Sequence, residues 1–471
     1  MSTTDPTGLA SGAARPAAAA EPPETPMPSG ASASWGRRLL VLAGLVAIAA
    51  TLVLAHVKEY PLLSPIDELQ HIDYLDQASR FDLVEGGERV HRTAMREQSC
   101  RGIDSPGFVS PPCAQRHLDP AAYQESGFNT AAADPPVYYY ATGLTSRALA
   151  AILPGTDSIV TIGRSLGTLW LTAGLLVTFL LTRRLGGSTA AGMAVCLLVA
   201  STPAVLHPSA TITSDAPALL VGGMLALVAW AVVHGRAHPA WAGAAALVAT
   251  LVKVTSIAPI GLTLLFVLLM MLPIGNRDGA GAVTPLARRR GLLTMASVVA
   301  GTLVGLAGWT AVTRIITPAD AERSPMARFD VSSIGSDQLL TNAFATVTPV
   351  VNPYVPAIFA TMLLLVLVAV LNLLLISATI GAAWSRTTHR SVQLLSLSTL
   401  VTMLVAGDVF VGVYFFIAHA YVPIPARYAL GVLPMAAAVL ASVASQRRHW
   451  DYVLLGLGLL SFVVTLKNVL T

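Results

Sequence analysis

Runs of about twenty apolar residues recur from residue 39 to the end of the chain, and they constrain the fold more than any other feature. As a helix, each run is long enough to cross about 30 Å of hydrocarbon. The chain is 54% hydrophobic and 11% charged, whereas soluble domains keep roughly a quarter of their residues charged. A large soluble core is therefore excluded. We predict an all-α polytopic membrane protein with about eleven spans, at 39–57, 158–182, 187–206, 216–234, 239–252, 255–272, 291–315, 356–383, 392–418, 428–445 and 451–469.

The arginines between these runs predict the orientation of the chain. Short cytoplasmic loops of membrane proteins carry an excess of Lys and Arg. All the loop arginines lie on one side if the N-terminus is cytoplasmic and the C-terminus external: Arg37, Arg38, Arg183, Arg184, Arg236, Arg288, Arg289, Arg290, Arg386, Arg390, Arg447 and Arg448. The net charge of +4 reflects these arginines and does not indicate a nucleic-acid partner.

Residues 1–34 are rich in Ala, Pro, Ser and Thr and have no hydrophobic periodicity, so they predict a disordered cytoplasmic tail. The transmembrane domain is expected to occupy residues 35–471. Its first apolar run begins too late and continues too long for a cleaved signal peptide, which favours an uncleaved anchor.

The longest connection, residues 58–157, is predicted to be an external loop that carries function. It holds 13 of the 25 Asp and Glu residues of the chain, all between Glu59 and Asp134. A second charged external loop is expected at 316–355. Long ordered loops on a rigid scaffold often carry binding or catalytic groups. Cys100 and Cys113 both lie in the first loop, where an oxidising exterior would allow a disulfide, and two free thiols are the alternative.

The first loop begins with SPIDELQH, residues 64–71. Four apolar residues at helical spacing predict a helix that lies along the membrane surface: Ile66, Leu69, Ile72 and Leu75. A second stripe is polar and holds Asp67, His71 and Tyr74, with Glu68 beside them. One interpretation is a solvated helix start, where carboxylates favour the helix dipole. The other is a polar site at the membrane surface.

Further short motifs lie on the same predicted side of the membrane. They are DPPVYYYATGL at 134–144, HPSATITSDAPAL at 207–219, ATLVKVTS at 249–256 and VPIPARYALGVLP at 422–434. In their order and sidedness these motifs resemble the GT-C superfamily of membrane glycosyltransferases. The resemblance is greatest to the branch of protein O-mannosyltransferases, aminoarabinose transferases and related bacterial membrane proteins. It covers most of residues 39–440, although each motif is short.

The resemblance implies a fold and a set of site residues. The fold has two interfacial helices in the first loop, here near 66–82 and 136–150, above a cavity in the helix bundle. Asp67 matches the catalytic or acceptor-binding carboxylate of the family, and Glu68 matches the second acidic position. The proline–tyrosine stretch that lines the lipid-phosphate site is matched by Pro135, Pro136, Tyr138 and Tyr139. Asp134 is a departure, because some relatives have a lysine there that could meet phosphate.

The resemblance also implies a reaction. A sugar would move from a polyprenyl-phosphate carrier to a lipid, glycan or protein acceptor, usually with inversion, at the external face of a bacterial-type plasma membrane. Such a transfer needs a carboxylate for the acceptor hydroxyl and cations for the leaving phosphate. Asp67 is assigned the first role, with Glu68 and His71 holding it in place. The candidate cations are Lys253, Arg427, Arg147 and Arg164, and Tyr428 and Asp408 are expected to bind substrate beside them.

Several of these residues have plainer interpretations. Lys253 could snorkel to the interface, and Arg147 and Arg164 could mark helix ends at the headgroups. Asp215 is expected to be the N-cap of the fourth span. An unpaired Asp408 inside the ninth span would be costly, so an arginine partner is expected.

A metal site is not predicted, because the chain has no H-E-x-x-H motif. Glu68 and His71 could share an ion, with His91 or His117 as a further ligand. His71 alone is expected to be a hydrogen-bond partner. A divalent cation on Asp67 is left open.

Two other function classes stay open. A transporter or flippase of lipid-linked sugars would use Lys253, Arg427 and Asp408 as a substrate or proton path. Such proteins commonly have inverted repeats with broken helices at matched positions, and no such symmetry is visible in the sequence. A non-catalytic envelope-assembly factor would keep the fold and could lose Asp67 without effect.

Overall fold

The computed structural model describes residues 30–105, 107–152, 158–274, 286–322, 329, 331–351, 361–385 and 387–471. Within these ranges the chain is helical, apart from two isolated β-bridges, Leu63–Ile103 and Arg89–Phe128. The helices are α1 Gly30–Glu59, α2 Glu68–Ala78, α3 Arg92–Arg101, α4 Val137–Ile152, α5 Ile159–Arg184, α6 Thr189–Ala200, α7 Pro203–Ala210, α8 Ala218–Val233, α9 Ala240–Val252, α10 Ile257–Met271, α11 Arg288–Ile316, α12 Ser336–Val347, α13 Met362–Trp384, α14 Arg390–Ala418, α15 Leu433–Ser445 and α16 Trp450–Leu470.

The chain divides into two units after Val41, and every candidate site residue belongs to the unit Leu42–Thr471. Of the tail predicted at 1–34, residues 1–29 lie outside the described residues, and α1 already begins at Gly30. The second loop is described only in part. Its helix α12 is within the described ranges, whereas Arg323, Arg328 and Asp330 are outside them.

The prediction of an all-α polytopic membrane fold is confirmed. Eight described helices are long and apolar enough to cross a membrane, namely α1, α5, α10, α11, α13, α14, α15 and α16. The bent pair α6 and α7 could make a ninth span, and α8 and α9 are shorter apolar helices. Each predicted run overlaps one of these helices, whereas the count of eleven and the orientation stay predictions.

The third predicted span, 187–206, is not one continuous helix. Helix α6 stops at Ala200 and α7 starts at Pro203, with a bend of 69° between them. Proline lacks a backbone N–H and fixes φ, which suits the first turn of a new helix and disfavours the interior of an existing one. The prediction of an unbroken span was wrong for this reason. After the bend, α7 leads directly into residues 211–217, which reach the candidate site.

Both helices predicted in the first long loop are present, as α2 and α4, but the environment of α2 differs from the expectation. All its residues are buried. Leu69, Ile72 and Leu75 are 0% exposed and pack in a cluster of loop and helix side chains, including Val84, Tyr138, Val160 and Ile212. Each such side chain contributes about 1.5–3 kcal/mol on full burial. The apolar stripe of α2 therefore packs on protein, and the helix is a rigid support for the residues at its start.

Cys100, near the end of α3, forms a disulfide with Cys113, and their Cα atoms are 4.4 Å apart. We expect both thiols to resist alkylation in denatured protein unless a reductant is added. The free and buried Cys196 is an internal control, because denaturation should expose it in either case. Intact mass after maleimide treatment should thus show one label without reductant and three with it. Three labels without reductant would exclude the disulfide.

Candidate functional site

Asp67 occupies the turn that starts α2. It is the N-cap residue, in a left-handed conformation with φ 56° and ψ 17°, and its carbonyl accepts the His71 N–H at 3.1 Å. Its side chain is 47% exposed, and its Oδ2 lies 4.0 Å from Nη2 of Arg427. Asp67 therefore lies outside the helical stripe on which the sequence pattern placed it with His71 and Tyr74, and it contacts a distant cation instead.

Asp215 joins the two cations that the sequence motifs singled out. Its Oδ1 accepts from Lys253 Nζ at 2.5 Å and its Oδ2 accepts from Arg427 Nε at 3.0 Å. Burial by itself would raise the pKa of Asp215, but the charges of Lys253 and Arg427 hold that pKa below its usual value. Asp215 is thus an ionised bridge. The expectation of a plain N-cap is corrected, since Pro217 occupies the cap position of α8.

Lys253 and Arg427 come from two short irregular segments. Lys253 is in extended conformation between α9 and the 3₁₀ turn Val254–Ser256, and Arg427 lies in the 3₁₀ turn Ala426–Val432. Both cations lie beside the Tyr428 ring, with Lys253 Nζ 5.2 Å and Arg427 Cζ 5.4 Å from its centroid. Lys253 is buried and paired, so the snorkelling interpretation does not hold.

A small cavity connects these residues. Asp215, Lys253, Arg427 and Tyr428 line it, and its volume is about 20 Å³. That volume is enough for about one water molecule. The cavity is tight because α8 touches the turn that carries Arg427: a Cβ on Gly222 would lie 1.7 Å from the Gly431 carbonyl oxygen. A sugar phosphate would fit only after the surrounding side chains move.

Glu68 lies apart from this cavity, in a buried ion pair with Arg164 of α5. Both side chains are 0% exposed. Arg164 donates through Nε to Oε1 at 2.8 Å and through Nη2 to Oε2 at 2.7 Å, and the same carboxylate accepts the Ser64 and Ile212 backbone N–H groups. Burial would raise the pKa of Glu68, but Arg164 and these N–H groups hold it below its usual value. Glu68 therefore ties three segments of the chain together as a charged anchor.

His71 belongs to a buried hydrogen-bond chain behind the cavity. Its Nδ1 is 2.6 Å from the Tyr139 hydroxyl, and its Nε2 is 3.4 Å from Oγ1 of Thr213. The Tyr139 hydroxyl donates to Oδ2 of Asp134 at 3.0 Å, and the Ser214 hydroxyl donates to the same oxygen at 2.7 Å. Burial lowers the pKa of His71, which favours a neutral ring near pH 7. The chain holds the segment that precedes Asp215.

The proline–tyrosine stretch packs against α2. Tyr139 stacks on Tyr74 with ring centroids 3.9 Å apart, and the Tyr138 hydroxyl accepts the Thr213 N–H at 3.2 Å. The Pro136 carbonyl accepts the Tyr140 N–H at 2.9 Å and so starts α4. These residues support the site from behind and do not line the described cavity.

The remaining predicted residues lie elsewhere in the described structure. Asp408 is in α14, forms no ion pair with a described residue, and has a buried Oδ1 without a described hydrogen-bond partner. The expected arginine partner is therefore not found within the described ranges. Arg147 donates to the Ser79 carbonyl at 3.2 Å and so joins α4 to the end of α2. Neither residue lines the cavity.

The comparisons with known proteins are structural. No family model matches the sequence, and no curated protein matches it. The chain matches the structure of ArnT from Cupriavidus metallidurans bound to undecaprenyl phosphate, with 15% identity over 91% of this chain and 63% of that chain and a TM-score of 0.45. The apo oligosaccharyltransferase of Archaeoglobus fulgidus matches with 15% identity over 93% of this chain and 57% of that chain, at a TM-score of 0.44.

Arabinofuranosyltransferase AftD from Mycobacteria matches with 15% identity over 85% of this chain and 26% of that chain, at a TM-score of 0.38. These structures are GT-C glycosyltransferases. The chain is similar to them. It spans less than two thirds of the length of each, and every TM-score is below 0.5. Its GT-C-like function therefore has to be proposed from its own side chains.

A divalent cation, which some GT-C enzymes use, does not fit the described residues around the cavity. In the part of the chain that the structure describes, three or more His, Cys, Asp or Glu side chains nowhere come together as a metal site. The cavity carboxylate Asp215 is already bound to two cationic side chains. His71 and Glu68, which could have shared an ion, point to Tyr139 and Arg164 instead. We therefore derive no step through a metal.

Proposed function

We propose that this chain is a membrane glycosyltransferase that moves a sugar from a polyprenyl-phosphate carrier to a hydroxyl of a lipid, glycan or protein acceptor. One observation supports this proposal most: Asp67 and a cluster of two cations meet at one place. Asp67 is half exposed and 4.0 Å from Arg427, which lines a cavity together with Lys253. The reaction needs a base for the acceptor and positive charge for the leaving phosphate, side by side.

In the proposed reaction Asp67 is the general base. An Oδ atom of Asp67 takes the proton of the acceptor hydroxyl while the acceptor oxygen bonds to the anomeric carbon. The bond between that carbon and the carrier phosphate oxygen breaks, and its electron pair leaves with the phosphate. A single displacement of this kind inverts the anomeric configuration. The exposure of Asp67 suits an acceptor that arrives from water or from the membrane surface.

Arg427 and Lys253 would stabilise the charge on the departing phosphate. Arg427 lies between Asp67 and Asp215, so its guanidinium can stabilise charge next to the base. A guanidinium has five N–H donors and can bind a phosphate without releasing its carboxylate partner. In a cavity shielded from water, these charges act far more strongly than at an exposed surface. The carrier would have to widen the cavity of about 20 Å³ as it binds.

The phosphate site can be tested separately from the chemistry. Arg427→Ala and Lys253→Ala should each weaken binding of polyprenyl phosphate about 10- to 150-fold, because a hydrogen bond to a charged group contributes about 1.5–3 kcal/mol. Binding would be measured on purified protein, with thermal unfolding to verify the fold. Arg448→Ala is the matched control, since Arg448 is exposed and distant in sequence from the cavity. Unchanged binding in both variants would place the phosphate elsewhere.

A further inference from the structure

Helix α3 carries two arginines that have no carboxylate partner among the described residues. Arg92 and Arg96 line a surface cavity of about 350 Å³ together with Thr93, Glu97 and Cys100. Both arginines are exposed. Other arginines of the same loop are paired: Arg80 with Asp76 at 3.0 Å, Arg89 with Glu322 at 2.9 Å and Arg101 with Glu97 at 2.6 Å. The cavity therefore has an uncompensated positive wall.

The position of these arginines on the helix is unfavourable by itself. They are one turn apart, so their like charges repel. They also lie in the first two turns of α3, where the helix dipole is positive, and the first turn contains no acidic residue. The nearby acids are engaged elsewhere: Asp73 and Glu88 contact His91, and Glu97 contacts Arg101 and Ser158. An anion in the cavity would relieve each of these repulsions.

The cavity has a fixed wall and a defined position. Cys100 lines it and is held by the disulfide to Cys113. Beyond it, Arg101 donates through Nη2 to Ser158 at 3.0 Å and to Thr161 at 3.1 Å, at the start of α5. Because α5 is a candidate membrane span, the ten residues of α3 place the cavity within about 15 Å of that helix start.

We propose that this cavity binds a phosphate group through Arg92 and Arg96. Guanidinium groups suit phosphate because their paired N–H donors match two phosphate oxygens. The group could belong to a phospholipid headgroup at the membrane surface or to a soluble phosphate. This site is separate from Asp67, Lys253 and Arg427, so it does not depend on the proposed transferase function.

The test uses the full-length wild-type protein, purified in detergent with its disulfide intact. Phenylglyoxal modifies free guanidinium groups, and peptide mass spectrometry reports the rate at each arginine. The rate would be measured alone, with inorganic phosphate, and with short-chain phosphatidylglycerol against phosphatidylcholine. Arg116 is the control, because it is an exposed arginine of the same loop that does not line the cavity. At a ligand concentration ten times its dissociation constant, modification of Arg92 and Arg96 should slow about tenfold.

Protection by inorganic phosphate would support a soluble ligand, and protection by phosphatidylglycerol alone would support a headgroup. In either case the rate at Arg116 should not change. Modification of Arg92 and Arg96 at the same rate in every condition, or equal slowing at Arg116, would overturn the proposal. Arg92→Gln/Arg96→Gln provides a second measurement. It should retain wild-type thermal unfolding in the absence of ligand and lose the stabilisation that the protecting ligand gives.

Discussion

Asp67→Asn is expected to lower the rate of sugar transfer about 100- to 10,000-fold, the usual loss when a general base is removed. Asparagine has nearly the same size as aspartate and tolerates the left-handed conformation that residue 67 adopts. The fold and the carrier site should therefore be retained. The rate would be measured on purified protein with a saturating carrier, so that a change in carrier binding does not contribute.

Asp82→Asn is the matched control, because Asp82 is an exposed aspartate of the same loop with no role in the cavity. It should transfer sugar at the wild-type rate. Transfer at the wild-type rate by Asp67→Asn would show that SPIDELQH only starts a helix. A transporter, a flippase or an assembly factor would then explain the fold better.

Glu68→Gln is expected to destabilise the protein by about 3–5 kcal/mol, the range for removing one partner of a buried ion pair. The variant leaves the Arg164 guanidinium fully buried beside an uncharged group. Thermal unfolding in detergent would measure the loss. The double variant Glu68→Gln/Arg164→Met removes both charges and should recover part of the stability, since no unpaired buried charge remains.

The same variant separates anchoring from chemistry at Glu68. The motif resemblance assigned Glu68 to the catalytic group, but its carboxylate contacts Arg164 and backbone N–H groups and does not line the cavity. We therefore expect the folded fraction of Glu68→Gln to keep a transfer rate near that of the wild type. A fully stable Glu68→Gln protein with no transfer activity would contradict this role and return Glu68 to the chemistry.

The helices and the cations of the site could be predicted from sequence because their signals are local. Apolar runs specify helices wherever they occur in the chain. Lys253 is conspicuous because a charge between apolar runs is costly unless it is paired. Arg427 and Tyr428 belong to a short motif. The structure brings all three together around one cavity.

The partners of these residues could not be predicted, because they depend on the tertiary fold. Glu68 and Arg164 are 96 positions apart and Asp215 and Arg427 are 212 apart, and no local pattern connects either pair. Asp215 precedes a helix, so a cap was the simplest local interpretation. The break at Pro203 was visible as a proline, but its consequence was missed: α7 delivers Thr213, Ser214 and Asp215 to the site.

The left-handed backbone at Asp67 sets stability against activity. A side chain with a Cβ costs roughly 1–2 kcal/mol in this conformation, whereas glycine has no such cost. Selection for heat resistance alone would therefore favour glycine at position 67, at the expense of the proposed base. If the chain has retained aspartate under selection for activity, the excess backbone energy is the cost of presenting a carboxylate at that position. A thermostable variant of this protein is best obtained by changing residues away from the start of α2.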